Sequence, residues 1–173
     1  MILYIVIGII IFLLLIPLYF ALERQCHRSL YYKRAYNLSK KLNKPLMVIG
    51  DPYNGRSSKV LGKKYGCGDI CLDLTGCPKC KNSSKGYLED TLLDFPDNSH
   101  VIFLSYVLEH VNDVELVYEQ LKRVSGGDMY ILTVQPNDYV VNMFYKGTKR
   151  RILQIHPELI YKDNKVVFDL LGN

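Results

Sequence analysis

Three short stretches carry side chains able to do chemistry, and each follows an apolar run. Residues 50–55 read GDPYNG after PLMVI, residues 73–76 read DLTG after DICL minus its acid, and residues 105–110 read SYVLEH after HVIFL. Gly50 and Gly55 have no Cβ, so backbone there can come close to a ligand. Asp73 follows Gly50 by about 23 residues, the offset at which an acid commonly accepts the ribose hydroxyls of a nucleotide. Tyr53, Tyr106 and Glu109 are the local groups that could take a proton from an oxygen or nitrogen nucleophile. Nothing in the sequence selects among them.

A second constellation is sulfur. Cys67, Cys71, Cys77 and Cys80 fall within fourteen residues, and Cys77-Pro-Lys-Cys80 resembles half of a zinc knuckle, where four thiolates suffice for a structural ion. Cys71 lies inside an expected strand, which would hold its side chain away from the others. Reduced thiols are therefore the competing reading, and no metal ligand is assigned. Cys26 is a weak candidate for palmitoylation.

The elements that must position these groups follow from periodicity. Leu46–Gly50, Asp69–Leu74, Gly86–Glu89, His100–Ser105 and Met129–Val134 read as strands, and Thr75–Ser84 as loop by composition. Helices are expected over 57–65 and 112–124, the latter with Val114, Val117, Leu121 and Val124 on one face and Gly126-Gly127 as its stop. A further helix is expected over 139–145 and a hairpin over 159–170, turning at Asp163-Asn164. Strands separated by helices imply an α/β fold with a mostly parallel sheet and a terminal antiparallel hairpin. Right-handed crossovers then bring the strand-to-helix turns to one end of the sheet, where ligands bind.

Met1–Leu22 contains no charged residue. At about 1.5 Å per residue it reaches roughly 33 Å, enough for a hydrocarbon core of about 30 Å. It reads as a transmembrane helix. A cleaved signal peptide lacks support because there is no basic leader or A-x-A-like site before Glu23, and a buried core helix is the plainer alternative. Arg24, Arg28, Lys33, Arg34, Lys40, Lys41 and Lys44 follow without an acid among them, whereas residues 45–173 carry 15 basic and 16 acidic residues. The net charge of +5 thus belongs to this flank. It implies a single-pass protein with its soluble domain on the cytoplasmic side, and contact of residues 24–44 with anionic lipid head groups. No nucleic-acid partner is implied. Residues 23–44 place Leu30, Tyr31, Ala35, Leu38 and Leu42 at helical spacings, suiting a basic juxtamembrane helix or linker to a domain over 45–173.

From about Pro45 to Pro136 the chain resembles the class I S-adenosylmethionine-dependent methyltransferases. The resemblance rests on Phe95, Pro96, Asp97 and Ser99 before the fourth strand, on Leu108-Glu109-His110 after it, and on Leu121, Arg123, Val124, Gly126 and Gly127 before the fifth. It implies a Rossmann-like sheet of order 3-2-1-4-5-7-6 and S-adenosylmethionine as cofactor. Gly50, Asp51 and Gly55 would border its methionine end, Asp73 and Leu74 the ribose, and Glu89 or Asp90 the adenine edge, with Ser105 and Tyr106 along the same crevice. His110 would brace the turn. Val48, Pro52 and Asn54 stand where the family's loop has an acid and further glycines, and a proline there removes an amide donor.

Methyl transfer asks little of side chains, because the sulfonium is already activated and the protein chiefly aligns the nucleophile. The expected function is a membrane-anchored methyltransferase, or methyltransferase-like protein, with an unidentified methyl acceptor. The alternative is a noncatalytic anchored scaffold on the same fold. A nicotinamide dehydrogenase is weaker, since residues 50–55 supply no G-x-G-x-x-G turn.

Overall fold

The structure is a computed structural model that describes residues 2–54, 62 and 65–132, with the side chains of most residues before 25 and of Glu109 outside the description. Gly55, all but Gly62 and Tyr65 of the expected 57–65 helix, the 139–145 helix and the 159–170 hairpin lie outside the described residues.

The elements run α1 (Ile2–Leu42), β1 (Leu46–Ile49), β2 (Ile70–Asp73), β3 (Ser83–Lys85), α2 (Leu88–Thr91), β4 (Val101–Ser105), α3 (Val114–Ser125) and β5 (Met129–Leu132), with single 3-10 turns at Leu92–Asp94 and Leu108–His110. The five strands form one sheet in the order β3-β2-β1-β4-β5. Every pairing is parallel. This is an α/β architecture with the topological switch between β1 and β4, the place where open sheets of this kind leave a crevice.

Both faces of the sheet are covered, which is why its central strands are apolar at every position and not alternately. Met47, Ile49, Leu72, Ile102, Leu104 and Ile131 face a layer built from α2 and α3, with Val114, Val117, Tyr118, Leu121 and Val124 as the buried stripe of α3. Leu46, Val48, Cys71, Val101, Phe103 and Leu132 face the other way, against Ala35 and its neighbours on α1. One residue of slip would exchange the two sets.

The expected linker is thus a structural layer. Ala35 and Ser39 are buried, and Tyr31, Tyr32 and Leu38 pack on the sheet. Leu30 and Leu42, expected on the same face, are exposed. Leu30 points away from the sheet-facing row, and Leu42 stands in the last turn of the helix. The helix is continuous from Ile2 to Leu42, so the candidate span and the basic segment form one rod of roughly 60 Å at 1.5 Å per residue. Among the described residues no helix is long and apolar enough to cross a membrane. Most side chains of the apolar stretch 1–22 fall outside that set.

The direction of α1 is fixed by three levels of contact. At the amino end of the strands, Val101 N donates to Pro45 O at 3.0 Å, just after α1 ends. At mid-sheet, the Tyr32 and Phe103 rings meet edge to face at 5.6 Å, and Tyr31 lies 6.5 Å from Tyr130. At the carboxyl end, the Arg28 guanidinium sits 4.3 Å over the Tyr106 ring. Hence α1 runs antiparallel to the strands. Its amino-terminal half projects beyond their carboxyl ends.

The third strand differs from expectation. It is Ser83–Lys85, which overlaps the end of the stretch 75–84 read as loop, and Leu88–Thr91 is helical, so Glu89 lies on α2 and not on a strand. Three polar residues on a sheet edge give no hydrophobic signal to read.

The block that carries the family resemblance is an architectural clasp. Arg123 on α3 donates from Nη1 to Phe95 O at 2.9 Å, from Nη2 to Leu92 O at 2.9 Å and from Nε to Gln120 Oε1 at 2.8 Å, and it pairs with Asp97. Asn98 N donates to Arg123 O at 2.8 Å. Gly126 caps α3 in the left-handed conformation at φ 62, and a Cβ there would lie 2.1 Å from Asn98 Oδ1. The "FPDNS" and "LKRVSGG" residues thus close one another's backbone.

Two backbone carbonyls depend on the Arg123 fork, whereas Asp97 is largely exposed. Arg123→Ala should therefore lower unfolding stability by about 2–3 kcal/mol, and Asp97→Ala by less than about 1 kcal/mol, in urea unfolding of the full chain in detergent. Equal losses would contradict the clasp.

Candidate functional site

The carboxyl ends of β1, β2 and β4 bring together Gly50, Asp51, Asp73, Ser105 and Tyr106. Gly50 N donates to Leu72 O at 2.8 Å, extending the β1–β2 ladder by one step. Asp51 N then donates to Asp73 Oδ2 at 3.0 Å, so the two residues are adjacent at the carboxyl edge. Asp51 folds on itself, its Oδ1 accepting from Tyr53 N at 2.9 Å. Pro52 is buried beneath this turn and Tyr53 half-buried.

Asp73 is well occupied by its own chain. Its Oδ1 accepts from Thr75 N at 2.9 Å and Thr75 Oγ1 at 2.8 Å. With Asp51 N on Oδ2, three of the roughly four lone-pair directions of the carboxylate are in use. Leu74, next along, is exposed.

Gly50 adopts φ 101, which favours glycine, and a Cβ there would lie 3.1 Å from both Ser105 O and Val107 Cγ2. The glycine is thus required by close approach of β1 to β4. Tyr65 reinforces the turn: its buried hydroxyl donates to Gly50 O at 3.0 Å. Burial pushes the Tyr65 phenol up to about 12, against the opposing pull of Arg28. It stays protonated at neutral pH and serves as a donor, not a base. Although the Tyr65 hydroxyl is near enough to Ser105 to be influenced by it, its bond goes to Gly50, and Ser105 Oγ is buried without a hydrogen-bond partner among the described residues.

Tyr106 follows in a left-handed conformation, φ 56, unusual for a residue with a side chain. Its amide donates to Leu132 O at 2.7 Å, while its ring takes the Arg28 cation. Such strain at the end of a central strand tends to mark a site whose surroundings over-determine it. No sequence signal announced the Arg28 contact, because a helix 78 positions upstream gives no local pattern.

The acids expected at the far edge are placed differently. Glu89 Oε1 accepts from Asn112 N at 2.8 Å and Asp113 N at 3.3 Å, tying α2 to the start of α3. Asp90 is exposed on the same short helix. Gly55 is outside the described residues.

All four expected thiols are paired. Cys67 bonds Cys80 and Cys71 bonds Cys77. The expectation that strand placement would keep Cys71 from its partners is corrected: the nine-residue connection 74–82 between parallel strands carries no helix and folds back over the α1 face, where Cys71 and Cys77 are buried. Parallel strands normally require a longer crossover, and these staples hold the short one. Cys26 is free and exposed.

No family model matches the chain, and no curated protein or solved structure matches it either.

Tyr65→Phe keeps the ring and removes the bond to Gly50 O, so it should cost about 1–2 kcal/mol at neutral pH. The unfolded phenol ionises near its ordinary 10 and the folded one near 12. Stability from this group is therefore fully present below pH 10 and lost as pH rises to 12. The stability difference between wild type and Tyr65→Phe should shrink over that window in denaturant unfolding series.

Proposed function

We propose that the protein is a membrane-anchored, methyltransferase-like protein that takes a nucleoside-bearing cofactor, S-adenosylmethionine, at the carboxyl edge of its sheet. The observation that carries this reading is the Asp51 N to Asp73 Oδ2 bond, which sets a β1 glycine turn and a β2 terminal acid side by side at the carboxyl edge, one strand from the switch between β1 and β4. The buried Ser105 hydroxyl, which has no hydrogen-bond partner by distance and angle among the described residues, supports it, since such a group is costly unless something binds it. Strand order β3-β2-β1-β4-β5 agrees with the order the resemblance implies for those strands, and a fold of this kind hosts many functions.

Anchoring rests on the uncharged stretch 1–22 and the basic flank after it. In this reading the carboxyl edge of the sheet faces the bilayer, because α1 leaves the domain at that edge. Six residues separate Leu22 from Arg28, about 9 Å of helix. Arg24 and Arg28 then lie within roughly one Debye length of the head groups, whereas Lys40, Lys41 and Lys44 stand at the opposite end, too far to contribute. The methyl acceptor is accordingly a group presented at the membrane surface. The paired cysteines weigh against a cytosolic domain and the basic flank weighs for it.

A specific observation favours the second reading, an anchored scaffold without cofactor. Asp73 already accepts two hydrogen bonds from Thr75 and one from Asp51 N, and Gly50 is packed against Ser105 and Val107. A ribose would have to displace Thr75 Oγ1.

Calorimetric titration of the full chain in detergent with S-adenosylmethionine separates the two. Saturable heat is expected, with Asp73→Asn weakening affinity roughly 10- to 100-fold, as loss of a charge-assisted bond implies. Folded wild type that gives no heat at millimolar ligand leaves the scaffold. For the anchor, Ile10→Arg with Leu14→Arg should release the chain from membranes into alkaline carbonate, each substitution costing about 2.5–3.5 kcal/mol at a span centre. Release of the wild type would refute anchoring.

A further inference from the structure

The four sulfurs around β2 form a cluster. Cys71, Cys77 and Cys80 each offer a sulfur, and these three atoms lie within 4.8 Å of one another. The fourth, Cys67, is bonded to Cys80 at 2.06 Å. One disulfide therefore rests against the other. A tetrathiolate zinc site has Zn–S distances of about 2.3 Å, which places its sulfurs roughly 3.8 Å apart. Three of the four sulfurs are thus within about an ångström of that scale, and Cys67 is held beside them by its bond to Cys80.

We propose that, when reduced, Cys67, Cys71, Cys77 and Cys80 bind one zinc ion as a tetrathiolate, the two disulfides being the oxidised form of the same cluster. The chemistry balances with a dithiol as reductant. Two dithiols supply four electrons and four protons, giving four cysteine thiols and two oxidised reductants. The four thiols then release four protons as they take Zn²⁺, leaving a site of net charge −2.

Three features favour the ion. On the cytoplasmic topology proposed above from the charge of residues 24–44, the domain occupies a compartment where structural disulfides are rare. The short 74–82 crossover needs a clamp in that compartment as much as elsewhere. Exposed Lys79 and Lys81 flank Cys80, so cationic side chains surround a centre that would carry negative charge. Cys71 and Cys77 are buried on the α1 face, beside Ala35, Tyr65 and Phe103, which limits loss of the ion to water. Cys71 stands two residues before Asp73 and Cys77 four after it. The ion would accordingly fix the turn that carries Asp73. This inference does not depend on the proposed cofactor.

The test uses the full chain carrying Cys26→Ser, expressed in a bacterial cytosol and purified in detergent with a phosphine reductant and no chelator. Metal is measured by mass spectrometry of the elements, and cysteine state by alkylation mass under denaturing conditions. About one zinc per chain is expected, with the four cysteines protected from alkylation in the native protein and exposed after a chelator and denaturant. Cobalt substitution should give thiolate charge-transfer absorption. Cys80→Ser should reduce bound zinc at least tenfold while far-ultraviolet circular dichroism keeps the helical signal of α1. Metal-free protein with four alkylatable thiols would overturn the proposal, as would four cysteines that stay oxidised under reductant; the wild-type stoichiometry decides even if the variant fails to fold.

Discussion

Tyr32, Tyr65 and Phe103 meet between α1 and the sheet, the Tyr65 and Phe103 rings edge to face at 5.0 Å and Tyr32 stacked on Tyr65 at 6.0 Å. Aromatic pairs in such geometry add about 0.5–1.5 kcal/mol each beyond the area they bury. More depends on the cluster than its energy. It sets the angle at which α1 lies on the strands, and through the Tyr65 hydroxyl it holds Gly50 O. Gly66 leaves room for it, since a Cβ there would meet Tyr32 Oη at 2.1 Å. The same three rings therefore govern the course of the long helix and the shape of the β1 turn.

Much of the sheet was legible because strands buried on both faces advertise themselves. LMVI, ICLD, VIFLS and MYIL are short apolar runs bounded by turn residues, and the structure shifts their ends by only a residue or two. The α3 stripe was equally plain, with Asp113 Oδ1 accepting from Leu116 N at 3.0 Å as its amino-terminal cap. β3 was hidden because its partner, not its composition, makes it a strand: Ser83, Ser84 and Lys85 pair with Cys71, Leu72 and Asp73. Leu42 misled because helical spacing does not say where the sheet beneath a face stops, and Leu30 because it lies one position off the row of Tyr31, Ala35 and Leu38.

The candidate site was legible in its backbone and obscure in its side chains. Asp51 and Asp73 were expected near one another, and the Asp51 amide does reach the Asp73 carboxylate. What the sequence could not disclose is how far each polar group is already engaged. Glu89 braces the 112–113 backbone, Thr75 shares Asp73 with Asp51, and Arg28 arrives from α1. The cysteines show the same limit in reverse: separation along the chain suggested distance, and a crossover folded back on itself removed it.

The unbroken run of α1 from Ile2 to Leu42 has a mechanical meaning. Beyond Pro17 the helix carries neither proline nor glycine, so that part of it is a strut and not a leash. Whatever grips its first half dictates the height, lean and azimuth of the sheet as well, because Lys44 locks the other end through Asp128 at 3.1 Å and Ala35 is sealed in the core. Such a domain would sweep a surface at one fixed standoff, meeting objects by lateral travel and never by swinging down to reach them.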